Sequence, residues 1–203
     1  MICRLEWRAS AGDHSREPIY HARGCPYRAG RKDKDADMTT KADYTPQEWE
    51  LLQKPLLKVG PAVAEAVDSG ALGTVLEYGA ILDAAITVRN QYASNVLLQA
   101  LLRDAQLHGL GRLPGRQKEQ PGVNFQHLKT ELLSSCRGAV DLLHAKAPRQ
   151  EAMEYTYAVL NIGIHVANAA RDGESIAGGP RQRISEAEAA VLSEVSEALG
   201  LSE

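Results

Sequence analysis

Five polar side chains, Glu154, Asn161, His165, Asn168 and Asp172, follow one another at steps of seven, four, three and four residues. On a helix those steps put all five on one side. A histidine between two asparagines in a buried seam could bind a small ligand or tune a proton. The same line is also what the wet side of an otherwise apolar helix looks like, and that reading is preferred because amphipathicity alone produces it. Asp83, Thr87 and Asn90 make a similar line with the same explanation. Asp141 and His144 have the i,i+3 spacing used by di-iron bundles. Such sites need two such motifs and two further carboxylates, so this single pair reads as a solvated helix face. Cys3, His14, His21 and Cys25 could in principle hold zinc. Their gaps of ten, six and three residues include no close Cys-x-x-Cys pair to seed a tetrahedral site.

The patterns that cradle phosphate or build a nucleophile are missing from the chain. There is no G-x-x-x-x-G-K-[ST], no G-x-S-x-G and no H-E-x-x-H, and Gly178-Gly179-Pro180 reads as a turn. No enzyme is therefore expected. Tyr155 and Tyr157 read as core and rim packing rather than a recognition platform.

The elements that would position these residues are helices. Thr45-Pro46-Gln47-Glu48 places a capping threonine, a proline at the first helical position and a glutamate three residues after the cap. Trp49, Leu52, Leu56 and Val59 follow at helical spacing. Pro55 is expected to kink this helix, and Gly60-Pro61 to end it and open a further turn set through Val67, closed by Asp68-Ser69-Gly70. A long helix bearing Val75, Tyr78, Leu82, Ala85 and Ile86 runs to about Tyr92. Two continuations remain open: a break at Ala93-Ser94-Asn95, or passage through Val96, Leu97, Leu101 and Ala105 to His108-Gly109. Residues 109–122, with four glycines and two prolines, read as an internal linker. Phe125, Leu128, Leu132, Cys136, Ala139 and Leu143 step by three or four residues along the cleanest helix. After Pro148, Glu151–Ala170 is apolar on most sides and is expected to be central. Ser185-Glu186-Ala187-Glu188 forms a second capping box. It opens a helix bearing Val191, Val195, Ala198 and Leu199, which Gly200 ends. Nothing alternates as a strand does. An all-α, single compact bundle of about six helices is the expected fold.

A seam lies at Met38. Residues 1–37 hold two of the three cysteines but only three Leu, Ile or Val residues, and they carry a net +2 against −5 for 38–203. The expectation is a disordered extension or a mis-assigned gene start, with the helical domain spanning 38–203. Cys136, on a core face, reads as a small hydrophobe in a reducing compartment. A net charge of −3 with scattered basic residues argues against nucleic acid. No apolar run is long enough for a membrane helix, and the N-terminus has no signal-peptide core. A cytoplasmic location is expected.

Tyr44-Thr45-Pro46-Gln47-Glu48-Trp49 resembles the start of an uncharacterised bacterial family of small helical proteins, where a Y-T-P-x-E-W-like segment lies just after the initiator Met. That likeness implies Met38 as the true start. The same family ends in V-S-x-x-E…L…I…A-L-G, which Ile184-Ser185-Glu186-Ala187-Glu188, Leu192, Val195 and Ala198-Leu199-Gly200 match. The likeness spans 44–201 and implies no assigned activity. The tail is also similar to TerB-like helical domains of tellurite resistance. Asp172-Gly173 and Ile184-Ser185…Glu188 supply that family's pattern, although Glu174 to Arg183 puts ten residues where the family has a short turn. The TerB-like resemblance implies a metal-associated acidic site, here Asp172 and Glu188; His165, from the polar line, is a third candidate ligand, and the ion would be a divalent cation such as Ca²⁺ or Mg²⁺.

Two functions are thus expected, in order. The first is a non-enzymatic protein-interaction module in a stress-related setting, contacting a protein partner or a second copy and showing an exposed apolar patch. The alternative is a metal- or small-ligand-binding domain using the three residues just named.

Overall fold

The computed structural model describes residues 38–66, 70–108, 123–174 and 184–201, with side chains over 38–66, 79–106, 125–169 and 184–201. The extension 1–37, its candidate zinc ligands, the linker 109–122, the glycine turn at 178–180 and the side chains of Val75, Tyr78 and Asp172 lie outside these. Six α-helices form among the described residues, and no strand does. They belong to one compact unit.

Helix α1, Pro46–Ala64, starts as its sequence dictates. Thr45 accepts from the Glu48 amide at 3.2 Å, and Glu48 accepts from the Thr45 amide at 2.7 Å. Leu52, Leu56, Val59 and Val63 then enter the core completely. The end differs from expectation, because α1 runs unbroken through Pro55 and Pro61. Each interior proline removes a helix hydrogen bond, at a cost of about 3 kcal/mol. The compensation is packing: α1 touches all five other helices, so its apolar side is enclosed along its whole length. Gly60 is accordingly not a terminator but a crossing point. A Cβ there would lie 2.8 Å from Ile81 Cγ1, so its missing side chain is what lets α2 approach.

Helix α2, Gly70–Gln91, buries Ile81, Ala84, Ala85 and Val88, while Ile86 is turned outward. The open choice at Ala93-Ser94-Asn95 is resolved as a break. Asn95 Oδ1 accepts from the Leu98 amide at 2.8 Å and so caps α3, Val96–His108. Helix α4, Val123–Lys146, keeps its stripe inward, with Leu132, Cys136, Ala139 and Leu143 fully buried. Burial pushes the Cys136 thiol up to about 12, which fits a core hydrophobe.

Helix α5, Arg149–Glu174, packs on α1, α2, α4 and α6. Tyr155 is fully buried within it and donates to the Leu52 carbonyl of α1 at 2.6 Å. Helix α6, Glu186–Ala198, opens with the expected box, Ser185 Oγ accepting from the Glu188 amide at 3.2 Å and Glu188 Oε2 from the Ser185 amide at 2.8 Å. It closes at Gly200 with φ +70°, where Leu201 N–H reaches back to Ser196 O at 2.9 Å.

Candidate functional site

The chemistry-bearing groups gather where the segment Thr39–Glu48 meets the starts of α3 and α5. Three glutamates here and in α6 occupy the third position of a helix: Glu48, Glu151 and Glu188. Two of them reach back to their own caps. The third cannot, because the residue before α5 is Pro148, which has no N–H. Glu151 reaches instead to Thr39. Its Oε2 accepts from the Thr39 amide at 3.0 Å and from Thr39 Oγ1 at 2.7 Å. The Tyr44 hydroxyl completes the group, lying 3.0 Å from Thr39 Oγ1. Since the threonine's one hydroxyl hydrogen goes to Glu151, Tyr44 donates in turn. Glu151 is only 1% exposed, and its Oε1 is buried with no hydrogen-bond partner.

The segment around this carboxylate is tied down on three helices. Lys146 at the end of α4 pairs with Glu48 at 2.7 Å and lies over the Tyr44 ring at 5.5 Å. Lys41 pairs with Asp104 of α3 at 2.5 Å, and the Trp49 indole donates to the same carboxylate at 3.0 Å. Burial raises the Tyr44 phenol, an effect the Thr39 bond opposes and the nearby Glu151, Asp43 and Glu48 carboxylates reinforce.

The polar line on α5 continues from there. Glu154 accepts from Asn95 Nδ2 at 2.9 Å and from Gln150 at 2.8 Å. Asn95 itself is fully buried, and its Nδ2 also lies 3.4 Å from the Glu151 carbonyl. Asn161 donates to the Tyr92 hydroxyl at 3.2 Å. Burial, then Glu154 and Tyr157, raise the Tyr92 phenol, while the Asn161 bond opposes them. Glu154 and Asn161 are therefore more than water-facing surface, since both make contacts across to the α2–α3 region. The first half of the line fastens the α2–α3 turn to α5. His165 is half-buried and Asn168 exposed.

Of the candidate metal ligands, His165 sits on α5, the Asp172 side chain lies outside the described ones, and Glu188 is buried with Oε2 engaged by Ser185. Among the described residues no three His, Cys, Asp or Glu side chains gather as metal ligands. Asp141 and His144 are both exposed on α4.

No family model, curated protein or solved structure matches the chain. The site residues must be read from geometry alone. Thr39, Asn95 and Glu151 are not marked as site residues by any motif in the sequence. Asn95 carried a usable signal, a cap type just before an apolar run, and Glu151 carried half of one, an acid at the third position of a helix. Nothing local pointed to Thr39, 112 residues away from its partner.

Proposed function

We propose that this protein is a non-enzymatic, cytoplasmic interaction module, and that it contacts another protein through the outer side of α5. The observation that carries this reading is the pair Met153 and Tyr157, one helical turn apart and 41% and 45% exposed. Tyr92 and Asn161 adjoin the pair through the contacts described above. An exposed methionine and tyrosine offer large, adaptable contact area at low entropic cost. The basic groups support the same reading, since Lys41, Lys58, Lys129 and Lys146 are each paired with a carboxylate. Cations engaged in this way are poorly placed to neutralise phosphates. No described helix is long and apolar enough to cross a membrane. The divalent-cation reading of His165, Asp172 and Glu188 rests on the TerB-like resemblance and the polar line alone.

The test is a photo-crosslinking amino acid placed at Tyr157 in the host cell, with Gln126 on α4, also exposed, as the control. A discrete protein adduct is expected at 157 and not at 126. Met153→Glu should reduce it about tenfold, as loss of an interface anchor does. Equal labelling at both positions, or none at 157, overturns the assignment.

A further inference from the structure

Among the described residues, Glu151 alone holds a buried side-chain oxygen with no hydrogen-bond partner. Its Oε2 takes both hydrogens that Thr39 offers, and its Oε1 takes none. Among the described residues no lysine, arginine or histidine pairs with it. Tyr44 stands beside it with Asp43 and Glu48, Lys146 lies over the Tyr44 ring, and Glu154 follows a turn later on α5. The N-terminal amides of α5 supply partial positive charge. Two neutral donors on a single oxygen remain a poor replacement for the water a carboxylate loses on burial.

An ammonium group in place of the Thr39 amide would correct this. It brings three hydrogens where the amide has one, and a full positive charge, at a position where the chain already holds nitrogen 3.0 Å from the carboxylate. Met38 precedes Thr39, is 38% exposed and belongs neither to the core nor to the side chains packed on it. Threonine is also small enough for a methionine aminopeptidase to act on the bond before it.

We propose that Thr39 is a mature amino terminus, made by hydrolysis of the Met38–Thr39 peptide bond, and that its α-ammonium group is the counter-ion of Glu151. Translation is proposed to begin at Met38, where the composition changes, so that this bond is the first one made. Hydrolysis consumes one water and breaks the C–N bond. Methionine leaves with the new carboxyl group, and the freed amine on Thr39 takes up a proton. The buried carboxylate then gains a partner of opposite sign at the nitrogen that already lies 3.0 Å from Oε2.

The test uses the protein purified from its own host. Intact-mass and amine-tagging mass spectrometry should give a chain that starts at Thr39 with an unblocked amine. A terminus upstream of Thr39, or an acylated one, overturns the proposal. The tagging rate separates an ion pair from mere exposure of the end. The native Thr39 amine should react at least tenfold more slowly than in the urea-unfolded chain, and Glu151→Gln should recover most of that factor. Equal rates in native and unfolded protein overturn the pairing, and would leave a buried water as the partner of Oε1. The native-against-unfolded comparison decides the matter even if the variant fails to fold.

Discussion

Three glutamates at one helical position show how much a single residue's partner depends on its neighbours. Glu48 and Glu188 each follow a capping hydroxyl residue and close a local box. Glu151 follows Pro148 and finds its donors 112 residues away. The first two are legible in the sequence because both halves of the bond lie within four residues. The third is not, since only folding brings Thr39 to α5. Glu48 also answers to pH. The Lys146 bond, then the Thr45 amide, hold its carboxyl below the ordinary 4.5, and the Thr40 amide does the same for Asp43 below 3.8. A carboxyl lowered in the folded state contributes fully above its ordinary value, and that contribution is lost as pH falls through the folded value. The melting temperature should therefore drop as pH falls below about 5. Glu48→Gln should flatten part of that slope in thermal scans followed by circular dichroism. An unchanged slope in the variant would detach Glu48 from the effect.

At the scale of the element, composition and packing disagree about α1 and about glycine. Gly60-Pro61 has the composition of a helix end, yet α1 continues past it, with Val59, Gly60, Ala62, Val63 and Ala64 all buried around it. A helix carrying two interior prolines owes its existence to burial rather than to propensity. Gly163 of α5 is a second close approach: a Cβ there would lie 2.8 Å from Leu192 Cδ2 and 3.0 Å from Val59 Cγ2. The leucine end can swing away, but the branched Val59 is stiff. Gly163→Ala should gain up to about 1 kcal/mol in helix propensity and lose about 1–3 kcal/mol to overpacking, a net destabilisation. Gly79→Ala is the control, because nothing lies within 4 Å of a Cβ there. It should stabilise by about 0.5–1 kcal/mol. Urea midpoints of the two variants should therefore move in opposite directions, and movement in the same direction would remove the packing argument.

Across the whole molecule, α1 and α5 form the centre on which the other helices rest. Their amides, from Leu52 to Val63 and from Tyr155 to Val166, should exchange with deuterium most slowly, near the limit set by global unfolding. Faster exchange there than in α3 would contradict that centre. The sequence by itself determined the all-helical class, both capping boxes, the α4 stripe with Cys136 inward and the central place of α5. All of these rest on residues within one or two turns of each other, where periodicity and cap chemistry act. Only the tertiary structure decided that α1 outruns its prolines, that Ile86 faces outward, that the chain breaks at Asn95 and that Thr39 meets Glu151. Those outcomes depend on which surfaces are covered and on which distant donors arrive, and burial energy between segments far apart in the chain leaves no mark in local spacing.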